Sequence, residues 1–105
     1  MSIRAFLESP IEQGKDEAFA YDFDVSKWPG STYSLPTVVV YDITNGACDD
    51  VTGSVTDGGA TLTDSIFKTP AIVSLDAFHI YRVECQWHAD GNSVFEAYLV
   101  INAKE

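Results

Sequence analysis

Basic residues are what this chain has least of relative to their counterpart. Across 105 residues there are six Lys and Arg against sixteen Asp and Glu, a net charge of -10 at pH 7. That balance repels phosphate backbones and anionic lipid surfaces, so neither nucleic acid nor membrane is an expected partner. No basic residue lies between Lys27 and Lys68, whereas Asp42, Asp49, Asp50, Asp57 and Asp64 all do, which predicts one strongly negative region of surface. Long apolar runs are missing too. The longest, Ala97 to Ile101, has five residues, against the ~20 a membrane helix needs. The opening "MSIRAFLESP" has no apolar signal core, so the expectation is synthesis in the cytoplasm without a signal peptide. Cysteine is scarce: Cys48 and Cys85 are the only two. In a chain of cytoplasmic origin they read as reduced thiols rather than a disulfide framework. No internal repeat or low-complexity segment divides the chain.

What the chain does have is turn chemistry. Pro29-Gly30, Pro36, Asn45-Gly46, Asp57-Gly58-Gly59, Pro70 and Asp90-Gly91-Asn92 punctuate it. Between these marks lie short runs rich in Val, Ile, Thr, Phe and Tyr, the composition of strands. "AFAYDFDV" alternates, with Phe19, Tyr21, Phe23 and Val25 on one face and Asp22 and Asp24 on the other. "TVVVYDI" (37–43) is a more continuous apolar run. "VTGSVT" (51–56) and "ATLTDSIF" (60–67) read as weaker, Thr-rich strands near an edge, and "PAIVSL" as a strand or a corner. The stretch 8–17 has room for a helical turn, but Pro10 and Gly14 argue against a long helix. The whole reads as one all-β domain over 1–105, with 1–17 as an N-terminal segment or first strand. About seven antiparallel strands spaced by turns favour a β-sandwich over an open barrel.

The last two strands can be set in register on paper. With Asp90-Gly91-Asn92 as a three-residue loop, and Gly91 or Asn92 left-handed, Trp87 faces Phe95, Cys85 faces Ala97, Val83 faces Leu99 and Tyr81 faces Ile101. The other face then pairs His88 with Val94, Gln86 with Glu96, Glu84 with Tyr98 and Arg82 with Val100. A loop one residue shorter or longer would put Gln86 and Glu96 on opposite faces, one of them in the core. The pattern therefore selects the three-residue loop and places Cys85 in a buried row.

Candidate sites are few. A buried Cys85 acts as a small apolar residue, and a catalytic thiol would need a base that His79, some 20 Å along the strand, does not supply. The two histidines, His79 and His88, point to opposite faces of one strand, and the chain has no CxxC or HxxxH, so no zinc site is expected. "YDITNGACDD" gathers Asp42, Asn45, Asp49 and Asp50 around a glycine turn, a composition that suits a weak calcium site or, more simply, a turn. There is no GxSxG, and the strand carboxylates alternate outward, so no enzyme activity and no cofactor are expected. Trp28 and Tyr33 flank a turn. There they either plug one end of the core or present aromatic faces to a sugar. The outer face of the last hairpin is unusually apolar: Val94, Tyr98 and Val100 join Phe78 and Ile80. A loop, another strand or a partner subunit is expected to cover it.

Two resemblances follow. Leu75, Tyr81 and Val83 are similar to the "L…Y-x-V" tyrosine corner of fibronectin type III domains, although Asp76-Ala77 stands where that pattern has Gly or Pro. The resemblance implies a hydrogen bond between the Tyr81 side chain and the backbone near Leu75 and Asp76. The run from about Lys15 to Asn102, with "YDFDVSKW", "GGATLTDSIFKTP" and "YRVECQWHADGNSVFEAYLVI", resembles small immunoglobulin-like proteins encoded among the virion structural genes of tailed phages and prophages. That resemblance implies an immunoglobulin-like β-sandwich and a non-enzymatic, virion-associated structural or accessory role. Its implied partners are protein, either copies of itself or other virion subunits. The contrasting expectation is a carbohydrate-binding or adhesion module that uses Trp28 and Tyr33. A third is an accessory domain to which a peptide adds at an edge strand.

Overall fold

The structure, a computed structural model, describes residues 10–105. It is mostly β, with ten short or long strands rather than seven: β1 (Ile11–Gly14), β2 (Asp22–Asp24), β3 (Tyr33–Asp42), β4 (Asp49–Asp50), β5 (Thr56–Asp57), β6 (Thr61–Thr63), β7 (Ile66–Lys68), β8 (Ala71–Ile72), β9 (Ile80–Ala89) and β10 (Ser93–Lys104). They form a five-stranded sheet in the order β1-β10-β9-β3-β4, a three-stranded sheet in the order β2-β7-β6, and a β5-β8 pair. All pairings are antiparallel except β1 with β10, which run parallel from Ile11 opposite Ile101 to Gly14 opposite Lys104.

The β9–β10 hairpin has the expected register throughout, with Trp87 opposite Phe95, Cys85 opposite Ala97, Val83 opposite Leu99 and Tyr81 opposite Ile101. All eight of those side chains are buried. The loop differs in one detail. Asp90 (φ 53°) and Gly91 (φ 83°) take the left-handed conformation, and Asn92 does not. Asp90 tolerates it because its carboxylate is engaged: Oδ1 accepts from the Ser31 and Thr32 amides at 3.1 and 3.0 Å. Those bonds hold its pKa below the usual carboxylate value. They also tie the β9–β10 loop to the loop entering β3.

Trp87 is the centre of the core. Phe23 of β2 and Phe67 of β7 lie edge-on to it at 5.5 and 5.8 Å, so the three-stranded sheet packs on the five-stranded one through aromatic rings. Phe23 and Phe67 stack on each other at 5.0 Å. Trp28 lies edge-on to Trp87 at 5.1 Å. Such geometries are the favoured ones for aromatic pairs.

Four expectations need correcting. The run 60–67 is not one strand: Asp64 (φ 56°) turns the chain into the β6–β7 hairpin. The run 51–56 is not a strand either. It holds a single helical turn, Thr52–Val55, because Thr52 Oγ1 accepts the Val40 amide at 2.9 Å and donates to Asp50 at 2.7 Å, replacing ladder bonds with side-chain ones. The stretch 8–17 carries strand β1 rather than a helical turn; residues 8 and 9 lie outside the described residues. Pro36 does not mark a turn ahead of a strand beginning at Thr37 but sits inside β3, where a bulge between Ser34 and Thr37 absorbs its missing donor. No helix among the described residues is long and apolar enough to cross a membrane.

Candidate functional site

Strand alternation sends Arg82, Glu84, Gln86 and His88 of β9 and Val94, Glu96, Tyr98 and Val100 of β10 to the outer face of the larger sheet. Arg82, Glu84, Gln86 and Glu96 are engaged. Arg82 Nε lies 2.7 Å from Glu84 Oε2, its guanidinium stands 5.4 Å from the Tyr41 ring centroid, and Gln86 donates to Glu96 at 3.2 Å. Val94, Tyr98 and Val100 are half-buried. Ile80, opposite Asn102, is 37% exposed, and Phe78 is 70% exposed. Phe78 is not on the neighbouring strand itself: it precedes β9 with φ 69°, and its amide donates to Ala103 O at 2.9 Å. A bulky residue at positive φ and open to solvent is uncommon.

Trp28 and Tyr33 diverge. Trp28 plugs the core with one edge and is half-buried; its other side lines an open cavity of about 210 Å³. Tyr33 does not line that cavity; its hydroxyl donates to Gly30 O at 2.8 Å, folding the aromatic back over its own loop. Gly30 is required there. Its φ is 126°, and a Cβ would come within 2.8 Å of Ala89 Cβ. The cavity is walled by Ile11 and Leu99 from the larger sheet and by Tyr21, Phe23 and Trp28, with Asp22, Asp24 and Lys27 at its margin. Its walls come from segments far apart in sequence, so only the alternation of "YDFDV" pointed toward it.

Tyr21 connects the two sheets in a way the sequence reading missed. Its hydroxyl donates to Gln13 Oε1 at 2.6 Å, and buried Gln13 donates in turn to Ile72 O at 2.8 Å and Glu17 O at 3.1 Å. Every polar atom of that glutamine side chain is thus used, as burial demands. Burial, with the Glu17 charge adding to it, pushes the Tyr21 hydroxyl up to about 12.

The thiols are separate. Cys85 is buried and free, and burial with a contribution from Glu84 pushes it up to about 12, which keeps it protonated and inert. Cys48 is exposed and free, with an Arg82 guanidinium nitrogen 3.7 Å away. At the start of the Asp42–Asp50 turn, Asp42 Oδ2 lies 2.7 Å from His79 Nδ1 and its other oxygen accepts from Thr44. Asp50 accepts from Thr52. Among the described residues no group of three or more His, Cys, Asp or Glu is placed to hold a metal ion. The Tyr81 hydroxyl accepts the Asp76 amide at 2.9 Å, the bond that the corner motif implied.

No family model, curated protein or solved structure matches this chain.

Proposed function

We propose that the chain is an immunoglobulin-like β-sandwich and that it acts as a non-enzymatic, virion-associated structural or accessory protein of a tailed phage or prophage, working through protein–protein packing. The strand order supports the fold: β2-β7-β6 would correspond to strands B, E and D, and β10-β9-β3-β4 to G, F, C and C′, of an immunoglobulin-like sandwich. One observation carries the role. Phe78 and Ile80 present exposed apolar surface, and the outer face of β10 adds the half-buried Val100, Tyr98 and Val94 among polar neighbours. Exposed apolar side chains set together like Phe78 and Ile80 are a mark of contact with another protein. The proposed partners are further copies or other virion subunits.

The test is mass spectrometry of purified particles beside the soluble lysate, with wild type and a Phe78→Glu, Ile80→Glu variant. Stoichiometric wild-type recovery in particles, reduced at least tenfold in the variant while its fold persists, is the expected outcome. Wild type confined to the lysate overturns the reading. A second reading, a carbohydrate-binding module, is favoured by Trp28 lining a cavity edged by carboxylates. Of the two aromatics invoked for it, Trp28 lines that cavity and Tyr33 does not.

A further inference from the structure

The cavity beside Trp28 lies against the edge of β2, which no strand among the described residues pairs on its far side. Tyr21 C=O accepts from the Thr69 amide at 2.8 Å, and the Val25 amide donates to Ser65 C=O at 2.7 Å, both on the β7 side. Backbone direction alternates along an antiparallel strand, so Asp22 aims its N–H and C=O away from β7 and Asp24 its N–H, while the Asp24 C=O caps the 3-10 turn Val25–Lys27. Among the described residues no strand pairs with that edge. Side-chain direction alternates as well. Tyr21 and Phe23 face inward, toward the cavity that Ile11 and Leu99 close from the other sheet, and Asp22 and Asp24 face outward.

We propose that the β2 edge is a docking site for an extended segment of a partner protein in which apolar and basic residues alternate. The inference rests on the protein-packing reading above and names the surface and chemistry of one contact. A strand added beside β2 would satisfy the Asp22 N–H and C=O and the Asp24 N–H. Its inward side chains would enter the cavity, and its outward ones would lie beside Asp22 and beside Asp24, whose carboxylate already accepts the Ser26 amide at 2.9 Å, where opposite charges stabilise and like charges repel. Lys68 of β7 already stands directly opposite Asp22, and Lys27 lines the cavity, but the chain's net charge of -10 still favours a cationic partner. A sugar would use Trp28 and leave the strand edge unused.

The probe is a labelled heptapeptide of alternating Lys and Val, compared with its alternating Glu and Val counterpart. It is titrated into the full chain by fluorescence anisotropy and by amide hydrogen exchange. The Lys peptide is expected to bind and to slow exchange at Asp22 and Asp24 at least tenfold. Asp22→Pro removes one outward-facing donor at a position where an edge strand tolerates proline; it should weaken binding at least tenfold with little change in melting temperature. Asp22→Lys keeps the backbone and should shift preference toward the Glu peptide. Absence of binding, binding without protection of these amides, or binding indifferent to both substitutions overturns the proposal. So does a Trp28 fluorescence response to oligosaccharides with none to the peptide. Wild type still recovered in particles after such a failure leaves the packing reading standing, whereas its absence from particles removes that reading independently.

Discussion

Single atoms carry much of the definition of this fold. The Tyr81 ring is buried in the hairpin row, and its hydroxyl takes the amide of Asp76, five residues back, where the chain turns into β9. A neutral hydrogen bond in such a place contributes about 1 kcal/mol. Tyr81→Phe should therefore lower the stability to urea by about that amount with an unchanged slope, since the ring and its packing remain. Loss of cooperativity would instead mean that the corner is needed to form the hairpin at all. Trp87 behaves differently. Its Nε1 is buried without a hydrogen-bond partner among the described residues, so the indole serves the core by shape and aromatic contact alone.

At the scale of elements, the joint between β3 and β9 depends on pH. Asp42 closes β3, His79 precedes β9, and Thr44 Oγ1 links them again by accepting the Ile80 amide at 3.0 Å. The hydrogen bond to Asp42 raises the His79 pKa above 6.5 against the opposing effect of burial. Burial pushes the Asp42 pKa up, but hydrogen bonds from Thr44 and His79 outweigh it and hold the group below 3.8. A raised histidine contributes stability in full below its unfolded value and loses it as pH rises through the folded one. A lowered carboxylate contributes above its unfolded value and loses that as pH falls through the folded one. The joint is thus strongest from about pH 4 to about 6.5. His79→Gln should remove the decline in denaturant midpoint above that window while leaving the acid limb; an unaltered profile would show that the pair does not contribute.

The same scale shows what was legible in the residues. The β9–β10 register could be read in advance because ten-residue alternation and a glycine loop constrain each other, and a slip would bury Gln86 or Glu96. Short elements resisted. Asp64-Ser65 makes a tight turn without the usual glycine, and Thr52 sits between strand and helix because its hydroxyl substitutes for backbone partners. The acidic outward face of β2 was visible as alternation. The cavity behind it was not, since Ile11 and Leu99 reach it only through sheet topology.

For the molecule as a whole, two sheets meet on one aromatic cluster, while Gln13, reaching from β1 to Tyr21 and Ile72, ties the sheets at their open side. The parallel pairing of β1 with β10 has a mechanical consequence. Parallel neighbours begin at the same end, so tension applied between Pro10 and Glu105 pulls the two strands past each other along their length. The slanted bonds of that ladder then share the load together rather than opening one after another from an end. In single-molecule pulling, tension between these two residues should meet a higher rupture force than tension between Ile80 and Glu105, which lie at the same open end of the hairpin and peel β10 away from β9 bond by bond. Equal forces for the two geometries would show that the β1–β10 ladder is not the element that bears the load. A chain built this way resists being drawn out along its own length more than being unpeeled from its hairpin.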